Sequence, residues 1–372
     1  MMVQREREPE ISRRSFLAGA AGALAGMQLK GAGACAADIP KDVRETFKRT
    51  AQAIRVDDGI KASYSTRQIE AIANAAETKL PAVYMRTLRE YERESGVDLE
   101  DSPPAVEVKH DLRHKGKKVE GMYDAGRKTV SFDADVMLNL GLVEPKMDLP
   151  PGLEINVTGH SRGDAEVTAR HEFTHYWDKR DLEEGRVDWI ARMDGQSLKP
   201  STAGYGHSSM NWGLFAYVLG RGQGRDVEAA LNEGTKHIEK MSFTGNSFDM
   251  IRPLEAAGLA GWREDDYQKK IMKAFLSGFT KEGGNGVPPE EIARGNLART
   301  DAVLKLASYL KIEMEPAIEY MAEQGEMRPW VLNDELRQKL SPLSETVRGK
   351  RLEPAKPSVV PFDGKKILEG LK

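Results

Sequence analysis

Cysteine is nearly missing from this chain: Cys35 is the only one. If the chain is processed after Ala36 none remains, so no disulfide can staple it and packing alone must hold it together. Histidine is scarce as well, 7 in 372 residues, which makes any close pair of histidines informative. Neither sign of charge dominates, with 55 Lys and Arg against 58 Asp and Glu and a net charge of −3. Such a balance gives no reason to expect a nucleic-acid partner. The basic run from Arg113 to Lys118 is short and reads as a solvated loop. No internal repeat is found, which excludes a solenoid or an array. The composition, 40% hydrophobic and 30% charged, is that of a globular chain with room for one large domain or two modest ones.

The N-terminal segment has a different character. "ISRRSFLAGAAGALAGMQLKGAGACAADIP" sets Arg13 and Arg14 before Phe16, Leu17 and a weakly apolar run rich in Gly and Ala. That run is short and glycine-rich for a permanent membrane anchor. The pattern resembles a twin-arginine export signal, Ser/Thr-Arg-Arg-x-Phe-Leu-Lys. Ser12, Arg13, Arg14, Phe16 and Leu17 match it, and Ala18 stands in place of the final Lys. The resemblance implies recognition by the export machinery through Arg13 and Arg14, passage in the folded state with any metal already bound, and a periplasmic or secreted location. A small-residue cleavage site lies at Ala34-Cys35-Ala36. Cleavage just before Cys35 would instead expose a lipidation site, the one route by which the chain would meet a membrane.

Helical periodicity dominates the chain beyond residue 36. Helices are expected from Asp42 to Ile54, after the N-cap Ser65, and from Pro81 to a stop at Gly96. The β signal is confined to Val106-Glu107-Val108 and to a hairpin pairing Val119–Tyr123 with Thr129–Phe132 around Ala125-Gly126-Arg127. Asp164 is expected to cap a helix through residue 180, and Asp226 one carrying Val227, Ala230, Leu231, Gly234, Ile238 and Met241 at core spacing. Between them "SSMNWGLFAYVLG" reads as an apolar helix. Further helices are expected over 266–279, 289–310, 315–323 and 334–340. The fold class is therefore α+β, mostly helical, with a small hairpin sheet upstream of the helix over 165–180.

That helix contains "TARHEFTHYWDKRD", residues 168–181, with His171, Glu172 and His175 in the order His-Glu-x-x-His. Residues four apart share a helix face, so two imidazoles can point at one ion while Glu172 sits one step round the cylinder. A catalytic zinc of this kind has three protein ligands and an open position, where it activates a water and polarises a carbonyl. Glu172 is then placed to take the water's proton and deliver it to the leaving amine. At this point the chain resembles the zincin metallopeptidases over roughly residues 117–241. The resemblance implies Zn2+ held by His171 and His175, Glu172 as general base, and a peptide or protein substrate lying along the hairpin's outer strand.

Three positions compete as third ligand. Glu233, in Leu231-Asn232-Glu233-Gly234, matches a word of the gluzincin subgroup, and Gly234 permits another backbone to come close. Asp181 has the metzincin spacing, but Asp178 replaces the glycine that would turn the chain back to the metal. The stretch Tyr205-Gly206-His207 is similar to a lethal-factor-like pattern whose Glu position is here Trp212, leaving His207 as a substitute donor. Glu233 is preferred, with Asp181 the alternative. Tyr205, His207 and His237 are candidate oxyanion helpers. Asp178 is a candidate to support an imidazole through its other nitrogen. The domain organisation expected is a signal over 1–36, a zincin-like catalytic domain over 37–245, a helical subdomain over 246–340 and an extended tail over 341–372. The rival readings are a periplasmic binding or scaffold protein carrying the motif incidentally, and a zinc hydrolase acting on another amide bond.

Overall fold

The computed structural model describes residues 39–141, 162–179, 183–194, 197–198, 206–221, 226–246, 248–256, 289–324, 334–344 and 347. The export-signal motif, Cys35, the helix expected over 266–279 and the end of the C-terminal tail lie outside them. Among the described residues no helix is long and apolar enough to cross a membrane.

The N-terminal helices are α1 (Lys41–Val56), α2 (Asp58–Ser63), α3 (Thr66–Asn74) and, after a single π turn over Ala75–Lys79, α4 (Leu80–Ser95). Ser65 begins α3 in a capping box with Gln68, so two amides with no partner inside the helix are satisfied reciprocally. Pro81 falls directly after the π turn, in the first turn of α4. Gly96 ends that helix in the left-handed conformation, φ 66°.

Strands β1 (Ala105–Lys109), β2 (Arg113–His114), β3 (Lys117–Lys118), β4 (Gly121–Asp124) and β5 (Thr129–Asp133) come next. The main sheet has the order β1-β5-β4. β1 runs parallel to β5, with Val106 opposite Val130, and β4 returns antiparallel, with Tyr123 opposite Val130. The hairpin expected from the sequence is thus present, its first strand starting at Gly121 rather than Val119. The basic run 113–118 forms the β2–β3 ribbon, not a plain loop. β5 is buried along its whole length and leads directly into α5 (Ala134–Gly141).

Helix α6 (Arg162–Trp177) carries the His-Glu-x-x-His motif and is buried on every side from Ala169 to His175. The helix begins at Arg162, so Asp164 lies within its first turn instead of capping it. Phe173 fixes the helix within the N-terminal half. Its ring meets Tyr84 edge-on at 5.1 Å and packs near Phe47 and Phe132, so α1, α4 and β5 converge on one side chain. Beyond it lie α7 (Glu184–Arg192), the short ribbon β6 (Met193–Asp194) and β7 (Ser197–Leu198), α8 (Gly206–Arg221), α9 (Val227–Thr244) and α10 (Phe248–Ala256). The last helices are α11 (Pro289–Tyr309), α12 (Glu315–Glu323) and α13 (Asp334–Leu340).

α8 is the central helix of the second half, buried over nearly all its length, with α7, α9 and α11 packed around it. Buried hydrophobic residues from Ile39 to Val347 belong to a single cluster, so the core runs across residue 245 without a break. α8 and α9 approach one another closely at Gly234. A Cβ on Gly234 would stand 1.7 Å from the carbonyl oxygen of Ala216, which is backbone and cannot move aside. Overpacking usually costs about 1–3 kcal/mol. Gly234→Ala should lie at or beyond the top of that range, read as a lowered midpoint in denaturant unfolding.

Candidate metal centre

Three donor atoms meet at the junction of α6 and α7. His171 Nε2 and His175 Nε2 are 3.1 Å apart, and Glu184 Oε2 lies 3.0 Å from the first and 3.1 Å from the second. Among the described residues this is the one group of three His, Cys, Asp or Glu side chains whose donor atoms converge in this way. Both imidazoles are buried and the Glu184 side chain is about a third exposed, so the group is rooted in the core and opens through the carboxylate. Two donors about 2.1 Å from a tetrahedral centre stand about 3.4 Å apart. The observed edges are that triangle drawn in by a few tenths of an ångström, as expected of side chains that hydrogen-bond to one another.

The electrostatics fit an acceptor site for a cation. Burial by itself would push the His171 imidazole down; the hydrogen bond it donates to Glu184 and the charges of Glu172, Glu184 and Asp188 outweigh it and hold it up at about 9. Burial works against the Glu184 carboxylate too, but its bonds to both imidazoles hold it well below the usual range. For Glu172 burial wins: its carboxyl is raised despite the two histidines, with Glu184 and Glu120 adding to the shift.

Neighbouring backbone is shaped around these side chains. A Cβ on Gly121, the first residue of β4, would stand 2.6 Å from Cγ and Oε1 of Glu172. A Cβ on Gly185, directly after Glu184, would stand 2.1 Å from Ser208 Oγ, so the start of α7 is pressed onto α8. Two buried arginines clasp α6 to α7. Arg170 donates to the carbonyls of Ala191 (2.9 Å) and Met193 (3.2 Å) at the far end of α7, and to Glu90 (2.7 Å) on α4. Arg186, in the first turn of α7, pairs with Asp178 just past α6 at 2.6 Å. The two contacts make α6 and α7 an antiparallel pair.

Glu184 is not among the ligands expected from the sequence, and Glu233 takes no part in the group. Its carboxylate lies 3.6 Å from Lys236 Nζ and 3.9 Å from His237 Nε2, on α9. The reason is rotational: α9 turns Ala230, Leu231, Gly234 and Ile238 inward, and Glu233 falls to the partly exposed side with Lys236 and His237. Asp181 and Tyr205 lie outside the described residues. His207 is bonded at 3.2 Å to Thr300, and burial together with Arg299 lowers it to about 4. His237 is lowered mainly by burial. The contacts of both lie away from the three donors. Asp178 is buried as a support should be, but it holds Arg186, while His175 Nδ1 has no hydrogen-bond partner among the described residues. Trp212 does not ligate; its Nε1 donates to Glu183 at 2.6 Å. A signal for Glu184 did exist in the sequence: Glu183-Glu184 directly precedes the apolar-periodic "GRVDWIAR", nine residues beyond His175, the right place for an acidic helix start.

The chain matches no family model, no curated protein and no solved structure.

A direct comparison separates the two carboxylates. Glu184→Gln should lose stoichiometric metal in equilibrium dialysis and Glu233→Gln should retain it; the reverse pattern would return the third ligand to α9. Because an imidazole must be neutral to ligate and His171 holds its proton up to about 9, apparent affinity should rise with pH across the neutral range. Titrations at pH 6.5 and 8 would show it.

Proposed function

We propose that this chain is a zinc-dependent metallopeptidase of the zincin kind, exported by the twin-arginine route. The observation that carries this reading is the meeting of His171 Nε2, His175 Nε2 and Glu184 Oε2 within 3.1 Å, with Glu172 next to the first of them. The donor set, two imidazoles and one carboxylate, suits zinc, and its edge lengths fit the ion. When bound, zinc supplies a Lewis acid for the scissile carbonyl and makes water a stronger acid at neutral pH.

The chain's own residues do the rest. His171, His175 and Glu184 fix the position of the reacting centre. Glu172 receives the proton of the attacking water on its carboxylate and passes it to the departing amine nitrogen. Its burial raises its affinity for that proton, which suits a group that must hold it between the two transfers. β4 is an end strand of the sheet, and Gly121 lies against Glu172, so an extended peptide pairing along β4 would pass by the carboxylate. A scaffold that carries the motif incidentally has no use for a third donor brought to both imidazoles, and this favours the hydrolase.

Glu172→Gln should retain metal and lose about 10²–10⁴-fold in hydrolysis of a quenched-fluorescent peptide library, the usual range for a general acid–base group; undiminished turnover would remove Glu172 from the reaction. Changing Arg13 and Arg14 to Lys together should leave the protein in the cytoplasmic fraction, whereas unchanged export would dismiss the twin-arginine assignment.

A further inference from the structure

The first residue of a helix has little to fix it except the turn it opens. Glu184 is such a residue, and its place over α6 has to be set by contacts made elsewhere. We infer that Arg186, backed by Trp212, is the positioning residue of the metal centre; this rests on the metal-site reading above. The Arg186 guanidinium bridges the two ends of the connection between the helices. One nitrogen lies 2.6 Å from Asp178 Oδ2, three residues after His175, and the other 3.5 Å from Glu183 Oε2, directly before Glu184. Glu183 is held from its other oxygen by Trp212 Nε1 at 2.6 Å, and the guanidinium lies over the Trp212 ring, 5.7 Å from its centroid. Arg186, Asp178, Glu183 and Trp212 are thus bound into one unit, and the three charged side chains are at most 5% exposed.

The chemistry of that unit is specific. A planar fork holds two carboxylates from two nitrogens in a fixed geometry, whereas an ammonium would have to hold both from one nitrogen. With the guanidinium gone, Asp178 and Glu183 would lose the cation that ties them to one another, and the two ends of the connection would shift. That shift acts on the residue next to the ligand. Stability alone is a poor reason to keep three buried charges, since well-packed apolar replacements are often as stable. Holding one carboxylate in register with two imidazoles is a role an apolar cluster could not fill as well. Gly185 against Ser208 serves the same end, and the support comes again from α8.

The test uses the full chain with Arg186→Lys, Arg186→Met, Asp178→Asn and Trp212→Phe, and Glu184→Gln as reference. Zinc and cobalt(II) dissociation constants are measured by competition with a chromogenic chelator, the visible spectrum of the cobalt form is recorded, and the thermal midpoint is taken in chelator. Arg186→Lys and Trp212→Phe should keep a cooperative metal-free transition, bind metal about 10- to 100-fold more weakly and alter the cobalt bands, the size expected of a group that orients a ligand. Arg186→Met should be weaker still. If the arginine variants do not fold, Trp212→Phe, which keeps a ring and removes one N–H, decides alone. Wild-type affinity and spectrum in Arg186→Lys and Trp212→Phe, with Glu184→Gln losing the metal, would overturn this inference and leave the metal site standing. A wild type that takes up neither ion would overturn the site reading, and this inference with it.

Discussion

Three donor atoms within 3.1 Å of one another, two of them on one helix and the third on the next, impose a demand that much of this fold can be understood as meeting. The histidines need only the helical repeat. Glu184 needs α6 and α7 held at one distance and one rotation. Arg170 fastens the far end of α7 through the carbonyls of Ala191 and Met193, and Arg186 fastens the near end through Asp178. Gly185 lets α8 close on the start of α7, and Gly121 lets β4 close on Glu172. A side chain at Gly121 would press on Glu172 itself, and one at Gly185 would press on Ser208 of α8.

The electrostatic cost of this arrangement is concentrated in the same place. Arg170 and Arg192 are fully buried, and Glu90, Glu183 and Asp188 nearly so. Each has a partner, as buried charge requires: Arg170 has Glu90, Arg192 has Asp188, and Arg186 stands between Asp178 and Glu183. Ion pairs of this sort contribute little net stability after desolvation. They do resist sliding and rotation, because each is lost when its helix moves by an ångström or two. The aromatic cluster around Phe173 supplies the ordinary hydrophobic support of α6, so that helix has aromatic packing as well as a polar brace.

What the sequence revealed was local. Ser65 and Asp226 as N-caps, Gly96 as a helix stop, the hairpin around Gly126 and the helix bearing His171 and His175 each depend on a few neighbouring residues, and each is found. Gly234 as a point of close approach was legible for the same reason. The third donor of the group was not, because it depends on how two helices turn back on one another. A four-residue word pointed to Glu233, yet one step of 100° on α9 separates the residue beside the core from the residues in it. Asp178 was recognised as a support but assigned to an imidazole; the guanidinium it holds lies eight residues on, across a turn that no periodicity describes. Glu184 needed no motif, only the observation that a second helix opens with a carboxylate within reach of the first.

The convergence of the three donors implies that His171, His175 and Glu184 would share one metal ion. Anomalous diffraction at the zinc edge, from crystals of the zinc-loaded chain, tests it without reference to activity. A single strong peak is expected about 2.0–2.2 Å from both Nε2 atoms and a Glu184 carboxylate oxygen. A peak whose third protein ligand is Glu233 or Asp181, or no peak between the two imidazoles, would contradict it.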